Sequence, residues 1–334
     1  MNSSRDPWAA VIEDSSKVGR GGGQIISELV AKTLSESGLS VALLDFGTRD
    51  NVWHLQPSTR MTFSSGSYRT QWSILRSLRP KLVYCATKRA FLVGLLFKLT
   101  HPTSKLFFHI HNLSKIRLLD WTLSLISSVF CELTLFPSEF TRRRFSLLRH
   151  SRQRVIGNSS EAPNVSNELQ ENVRIGFVGR LNMEKGFPTF AKLCKRFSGT
   201  SLQFVAITQE EVSQARREEY PHILFHTQVP QSLVHEKYDV LMVLSNVPET
   251  YSLSAVEAAR AGKLVLATTN GAIGEVLEDY EGLVLIDNEL NAQEVLHRVE
   301  MGLLPHRYPP LQDSHLVHDT SGFMYIIAQV LTEP

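Results

Sequence analysis

The chain has 334 residues, 43% of them hydrophobic and 20% charged, which is enough for two packed domains of roughly 150 residues each and too apolar for a disordered protein. Its three cysteines, Cys85, Cys131 and Cys194, are far apart and form no CxxC pair, which argues against a disulfide framework or a cysteine-based zinc site and for a reducing, cytoplasmic compartment. A net charge of +2 hides an asymmetry: residues 1–165 carry 22 basic and 11 acidic side chains, and residues 166–334 carry 13 and 22, so the two halves are expected to meet different partners.

Apolar runs bounded by turn residues alternate with amphipathic stretches along the whole chain, the pattern of strand–helix units around a largely parallel sheet, and an α/β fold is predicted. In the first half the runs predict strands at Ala9–Ile12, Val41–Phe46, Lys81–Cys85, Leu106–His111, Leu133–Pro137 and Val155–Ile156. Helices are predicted between them at Ile25–Ser37, Tyr68–Leu78, Ala90–Leu99, Ile116–Ser127 and Glu139–Leu148. The opening MNSSRDPWAAV lacks the basic-then-apolar pattern of a secretory signal, and the longest apolar run, Ala90 to Phe97, is too short to span a bilayer. The polar stretch Asn158 to Asn172 reads as a linker, giving a first domain over 1–160, a linker over 161–172 and a second domain over 173–313. The second domain is predicted to carry strands at Val173–Val178, Leu202–Ile207, Ile223–Phe225, Val240–Leu244, Leu264–Ala267 and Leu283–Ile286. The closing segment, residues 314–334, is expected to form a helix near Gly322–Leu331 that packs back on the first domain.

In tandem doubly wound domains, ligands bind outside the carboxyl ends of the strands, at a shared cleft. Four places lie just after predicted strands. Gly19-Arg20-Gly21-Gly22-Gly23 is either a ligand cradle, with Gly22 and Gly23 opening backbone N–H groups to it, or a strand-to-helix turn. Alternation puts His109 and His111 on one face of a strand end, where they are ligand-facing imidazoles or packed histidines; a third metal ligand is not evident beside them. Gly179 is followed by Arg180 and Lys185 before a helix, two cations suited to a diphosphate or a solvated pair. Glu249 and Glu257 flank Thr250, Tyr251 and Ser252 after another strand, as hydroxyl-binding carboxylates or as ordinary capping and surface residues.

Taken together, the last two features resemble retaining glycosyltransferases of the GT-B fold, in particular glycosyltransferase family 4. The family's G-R-x(n)-E-K-G segment corresponds to Gly179-Arg180-Leu181-Asn182-Met183-Glu184-Lys185-Gly186, its E-x7-E motif to Glu249 through Glu257, and its G-G-x-x-E segment in part to Asn270-Gly271-Ala272-Ile273-Gly274-Glu275. In the first half, Gly21–Gly23, His111 and Pro137-Ser138-Glu139-Phe140-Thr141 fit the same family. The resemblance implies two Rossmann-like doubly wound domains facing a cleft. It implies a nucleotide-sugar donor with Arg180 and Lys185 on its diphosphate, Glu257 on its ribose, Glu249 on its sugar, Thr250, Tyr251 and Ser252 along the donor, and His111 beside the anomeric carbon. Fixed cations and helix N-termini stabilise a departing diphosphate, so no metal and no cofactor is expected. The family usually has glycines where this chain has Thr250 and Ser252, and Ala206-Ile207-Thr208-Gln209 replaces its glycine-rich loop.

The activity so implied is transfer of a hexose, with retention, to a glycan or lipid-linked acceptor in polysaccharide or cell-envelope assembly. A nucleotide-sugar epimerase and a non-catalytic sugar-nucleotide-binding relative are the alternatives. The basic first domain adds an anionic membrane surface as a partner, on Arg142, Arg143, Arg144, Arg149, Arg152 and Arg154 and on the Ala90–Phe97 run flanked by Lys88, Arg89 and Lys98. The protein is then peripheral on the inner face of the membrane; no nucleic-acid-binding motif accompanies the charge.

Overall fold

The computed structural model describes residues 8–13, 22–46, 61–158 and 172–311. The readings of Gly19–Gly21, of the linker up to residue 171 and of a helix near Gly322–Leu331 fall outside the described residues. Two compact units part after Asn158.

The first unit runs β1 (Trp8–Glu13), α1 (Gly22–Glu36), β2 (Ser40–Asp45), β3 (Met61–Ser65), α2 (Tyr68–Leu78), β4 (Leu82–Cys85), α3 (Lys88–Thr100), β5 (Lys105–His109), α4 (Arg117–Phe130), β6 (Leu133–Phe136), α5 (Glu139–Phe145) and β7 (Gln153–Val155). Its strands form one parallel sheet in the order β3-β2-β1-β4-β5-β6-β7. In the central register Ala9 lies opposite Val41 on one side and Leu82 on the other. The inner strands are apolar through their middles, with polar residues mainly at their ends, because both faces are covered. Ala10, Ile12, Val83, Cys85, Leu106 and Phe108 pack against α2, α3, α4 and α5 through Leu75, Phe91, Phe97, Leu123 and Phe145. On the other face Val11, Tyr84 and Phe107 share a cluster with Ile26, Val30 and Leu34 of α1.

Hydroxyl caps set the helix starts: Ser67, Thr87 and Ser138 accept from the backbone N–H groups of Thr70, Ala90 and Thr141. One strand, β3, is absent from the apolar pattern, since its sequence, MTFSS, is polar at three of five places, and two predicted elements end early. β5 stops at His109 rather than His111. α5 stops at Phe145, with Arg142, Arg143 and Arg144 in its last turn, where cations suit the helix carboxyl end. Within the expected arginine cluster, Arg142 and Arg143 both donate to Glu139. The Ala90–Phe97 run is the middle of α3, with Phe91 and Phe97 wholly buried and Leu92 and Leu96 exposed.

The second unit runs β8 (Arg174–Val178), α6 (Phe187–Arg196), β9 (Gln203–Thr208), α7 (Gln214–Glu219), β10 (Ile223–Thr227), a 3-10 helix over Gln231–Lys237, β11 (Val240–Val243), α8 (Leu253–Arg260), β12 (Leu264–Thr268), α9 (Ile273–Val276), β13 (Leu283–Ile286) and α10 (Glu289–Glu300). Again the sheet is parallel, in the order β10-β9-β8-β11-β12-β13. Phe177, Phe187, Phe190, Phe204 and Phe225 fill one face, while Val205, Leu241, Val256, Ala259 and Val265 fill the other.

At the amino ends of three strands a single carboxylate gathers cations. Asp239, just before β11, accepts from the Arg174 backbone N–H at 3.0 Å and from its Nε at 3.1 Å, and the Lys263 ammonium stands 3.7 Å away at the start of β12. Although burial pushes the Asp239 carboxyl up, the Arg174 hydrogen bonds hold it below its ordinary value. The three cysteines are free and buried, and among the described residues no helix is long and apolar enough to cross a membrane.

Candidate active site

In each sheet the strand order reverses once, between β1 and β4 and between β8 and β11, and at such a point the loops leaving the carboxyl ends diverge and leave a crevice. In the second unit the two loops concerned are residues 179–186 after β8 and 244–252 after β11. They are sewn together by the Asn246 backbone N–H on the Glu184 carbonyl at 2.9 Å and by Asn246 Nδ2 on the Met183 carbonyl at 2.6 Å. Gly186 has φ +77°, and a Cβ built there would lie 1.8 Å from the Leu244 carbonyl oxygen, so only glycine lets the first loop rest on the end of β11.

Across this crevice Lys185 Nζ donates to Glu249 Oε1 at 2.7 Å, and the Ser245 hydroxyl donates to the same oxygen. Glu249 is 8% exposed, so its carboxylate is held by a cation and a hydroxyl in a largely dry place. Arg180 is placed differently from Lys185. It stands 3.7 Å from Glu184 with more than a third of its side chain exposed, a surface pair of little intrinsic strength. Lys185 and Glu249 are thus brought together, and Arg180 is near in sequence but not joined to them.

Glu249 is supported from the loop after β12. Its backbone N–H donates to the Asn270 carbonyl at 3.1 Å, and its carbonyl accepts from Ala272 at 2.8 Å. Gly271 between them has φ +122°, and a Cβ there would stand 2.4 Å from the nitrogen and oxygen of Glu249. Gly271→Ala is therefore expected to cost about 1–3 kcal/mol and to move Glu249 off Lys185. A wild-type melting temperature would show that the glycine is not needed.

Between the two glutamates, Thr250 is half-buried and Tyr251 is buried, its phenol pushed up to about 12 by burial against the opposing charge of Arg260. Ser252 caps α8 with φ +68°, the left-handed region, so the place where the sequence lacks a glycine is one where the backbone favours it. Glu257 lies in the second turn of α8 rather than at the helix start. It is buried, and Gln231 Nε2 donates to its Oε2 at 2.7 Å. Burial pushes the Glu257 carboxyl up to about 7, with the Gln231 hydrogen bond and the Arg260 charge opposing. Sequence reasoning missed Gln231 and Ser245: neither lies in a motif, and each reaches its glutamate only in the folded sheet.

In the first unit α1 starts at Gly22, and Gly23 lies against His111, whose Cβ, Cγ and Cδ2 would each be 3.8 Å from a Cβ at that position. The His109 and His111 rings are 4.0 Å apart, and the Tyr84 hydroxyl meets His109 Nδ1 at 2.7 Å. Burial drives His111 down to about 4, and burial together with the His111 charge drives His109 well below its usual range, so both imidazoles are neutral at pH 7. Gly23 and His111 therefore meet, with Gly22 beside them. Among the described residues no three or more His, Cys, Asp or Glu side chains gather where they could hold a metal ion.

Two parallel sheets of this order are the GT-B glycosyltransferase fold, and residues 158–303, which contain the Lys185–Glu249 crevice, match the family described as Glycosyl transferases group 1. The whole chain superposes on HepE of Anabaena, solved with UDP and glucose, with a TM-score of 0.76 and 15% identity over 98% of this chain and 100% of that one. Sucrose-phosphate synthase of Thermosynechococcus elongatus gives 0.75 and 14% over 98% of each. The lipopolysaccharide outer core galactosyltransferase WaaB gives 0.67 and 14% over 97% and 99%. At these identities the likeness is one of fold. A Klebsiella pneumoniae protein described as an uncharacterized 42.6 kDa protein in the cps region is 24% identical over 156 residues, 43% of this chain and 41% of the length of that protein.

Proposed function

We propose that the protein is a retaining hexosyltransferase that moves a sugar from a nucleotide-diphosphate donor to a glycan or lipid-linked acceptor in polysaccharide or cell-envelope assembly, on the cytoplasmic side. The observation that carries the reading is the Lys185–Glu249 ion pair across the switch point of the group 1 domain, 2.7 Å long and backed by Ser245. A donor diphosphate draws the Lys185 ammonium, with Arg180 turning in from the surface, and Glu249 is released to accept hydrogen bonds from the sugar hydroxyls. Glu257 takes the ribose diol, and the backbone of Thr250, Tyr251 and Ser252 follows the donor. Cations and backbone N–H groups stabilise the leaving diphosphate, so the transfer runs without metal or cofactor. The acceptor hydroxyl enters on the face from which the diphosphate departs and passes its proton to the leaving phosphate oxygen as the new C–O bond forms and the old one breaks, and this same-face exchange retains the anomeric configuration. On the first unit, Gly22 and Gly23 leave room beside His111, whose neutral imidazole is suited to hydrogen-bond the reacting sugar. The UDP and glucose held by HepE, the outer-core activity in the name of WaaB and the cps-region relative support a UDP-sugar and an envelope glycan.

The test is incubation with UDP-, GDP-, ADP- and dTDP-sugars in EDTA, with product anomers read by NMR and binding read by thermal shift. The expected result is one nucleotide that raises the melting temperature and a product with the donor's anomeric configuration; His111→Ala should slow transfer more than His109→Ala. An inverted product, epimerised donor, or activity lost in EDTA and restored by a divalent ion would overturn the reading.

A further inference from the structure

The first unit carries an unpartnered apolar face. On α3, Leu92, Leu96 and Leu99 are 51%, 56% and 57% exposed, and on α4, Leu118, Leu125 and Val129 are 68%, 47% and 66% exposed. The spacings of four and three, and of seven and four, put each set on one stripe of its helix. Both helices cover the same face of the sheet, because their inner residues share one core. Their starts are tied by Lys88, which donates to Ser114 at 2.5 Å and to Asp120 at 2.6 Å. Two leucine stripes therefore stand side by side on the outside of one sheet layer.

The part of the unit that carries these helices is also strongly basic. Residues 81–158 carry 13 basic side chains and only three acidic ones. All three acids are engaged: Asp120 by Lys88 at 2.6 Å, Glu132 by Lys98 at 2.5 Å and Glu139 by Arg142 at 2.5 Å. The exposed cations include Arg89 at the start of α3, Lys115 and Arg117 at the start of α4, and Arg149 beyond α5. The Arg117 guanidinium lies over the Trp121 ring at 4.8 Å, an aromatic–cation pair of the kind that sits between an apolar layer and water.

We propose that the outer face of α3 and α4 is a docking surface for an anionic lipid bilayer, the six apolar side chains entering the headgroup boundary and the surrounding cations meeting the lipid charge. Neither half of the surface suits another occupant as well. A second copy of the chain would bring its own excess of positive charge against this one. A nucleic acid would meet leucines where stacking rings or base-reading amides are needed. A bilayer offers apolar depth beneath a negative plane and answers both features. The surface differs from the arginine run at Arg142–Arg144, two of whose members are taken up by Glu139, and it stands independently of the transfer reading because binding is measured without donor or acceptor.

The experiment is co-sedimentation of the full chain with vesicles of phosphatidylcholine alone and of phosphatidylcholine with a third phosphatidylglycerol. Binding is expected to be roughly tenfold tighter to the anionic vesicles and to fall as salt rises. The triple variant Leu96→Ser, Leu125→Ser, Val129→Ser, altered only at exposed positions, should bind about tenfold more weakly at an unchanged melting temperature. A companion variant, Arg89→Glu with Lys115→Glu, should lose the preference for the anionic lipid. Binding that ignores lipid charge, or that survives intact in the triple variant, overturns the proposal. Failure to bind vesicles, whether or not the chain dimerises through this face or binds RNA, overturns it equally.

Discussion

Lys185→Ala is expected to lower the rate of sugar transfer by roughly 10²–10³-fold, the loss seen when one fixed donor to a developing negative charge is removed. It should also lower stability, because the buried Glu249 carboxylate then keeps only the Ser245 hydroxyl of its two side-chain donors; a charged group stripped of its partner costs about 1–3 kcal/mol or more. Arg180→Ala separates the two effects. Arg180 is exposed and only loosely paired with Glu184, so the free protein should melt unchanged while turnover falls with the donor bound. Melting curves and kcat/KM for both variants check this. Wild-type turnover in Lys185→Ala would remove the ammonium from the diphosphate, and an equal loss of stability in the two variants would contradict the pairing described above.

Glu257→Gln is expected to make the folded protein more stable above pH 7 and to abolish tight nucleotide binding. With its carboxyl pushed up to about 7 in the folded chain, Glu257 holds its proton over a range where the unfolded chain has lost it. The stability so gained is complete below the ordinary carboxyl value and is lost as pH rises through about 7. Keeping the side chain ionised at pH 8 costs on the order of 3 kcal/mol, a cost that glutamine does not carry while still accepting from Gln231. The groups facing Glu257 are Gln231 from the 3-10 helix, Arg260 from its own helix and Tyr238 before β11. Gln231→Leu removes an opposing hydrogen bond and should move the titration higher still. A ribose diol donating to the carboxylate favours the ionised form, so nucleotide binding near pH 7 should release a proton, measurable by calorimetry in buffers of different ionisation enthalpy. A pH–stability profile of Glu257→Gln that overlays the wild type would refute the account.

The unequal behaviour of these groups marks what the sequence carries by itself. The strands at Ala9–Ile12 and Leu264–Ala267 were legible because burial on both faces demands unbroken apolar runs, and the helix starts at Ser67 and Ser138 because a hydroxyl must satisfy the first free N–H groups. The strand Met61–Ser65 was not legible, since an edge strand has one neighbour, here only β2, and tolerates MTFSS. In the site, Lys185 was marked by the glycines Gly179 and Gly186 around it and Glu249 by its spacing from Glu257, but their mutual pairing needed the approach of two loops 64 positions apart. Gln231 and Glu257 are 26 apart, and no local pattern links an amide on a 3-10 turn to a carboxylate inside a helix. Exposure was equally hidden: the Ala90–Phe97 run is uniformly apolar, and only packing decides that Phe91 and Phe97 turn inward while Leu92 and Leu96 turn out.

The Asp239 cluster carries a consequence for how such a protein diversifies. Arg174, Asp239 and Lys263 fasten β8, β11 and β12 at their amino ends, whereas the residues proposed to meet the donor leave the opposite ends. Mechanical integrity and chemical selectivity therefore reside at different poles of the same sheet. Loops at the carboxyl pole can be exchanged, lengthened or lose their glycines, as at Thr250 and Ser252, while the strands stay in register. The Ala206-Ile207-Thr208-Gln209 stretch, expected as a loop, lies in β9 as far as Thr208, so grafting the loop 209–213 or 249–252 from a transferase of different donor preference should change the sugar accepted without loosening the sheet, whereas swapping the residues around Asp239 should unsettle the domain and leave selectivity untouched. The lineage is free to search for new donors at one end because it does not have to rebuild the other.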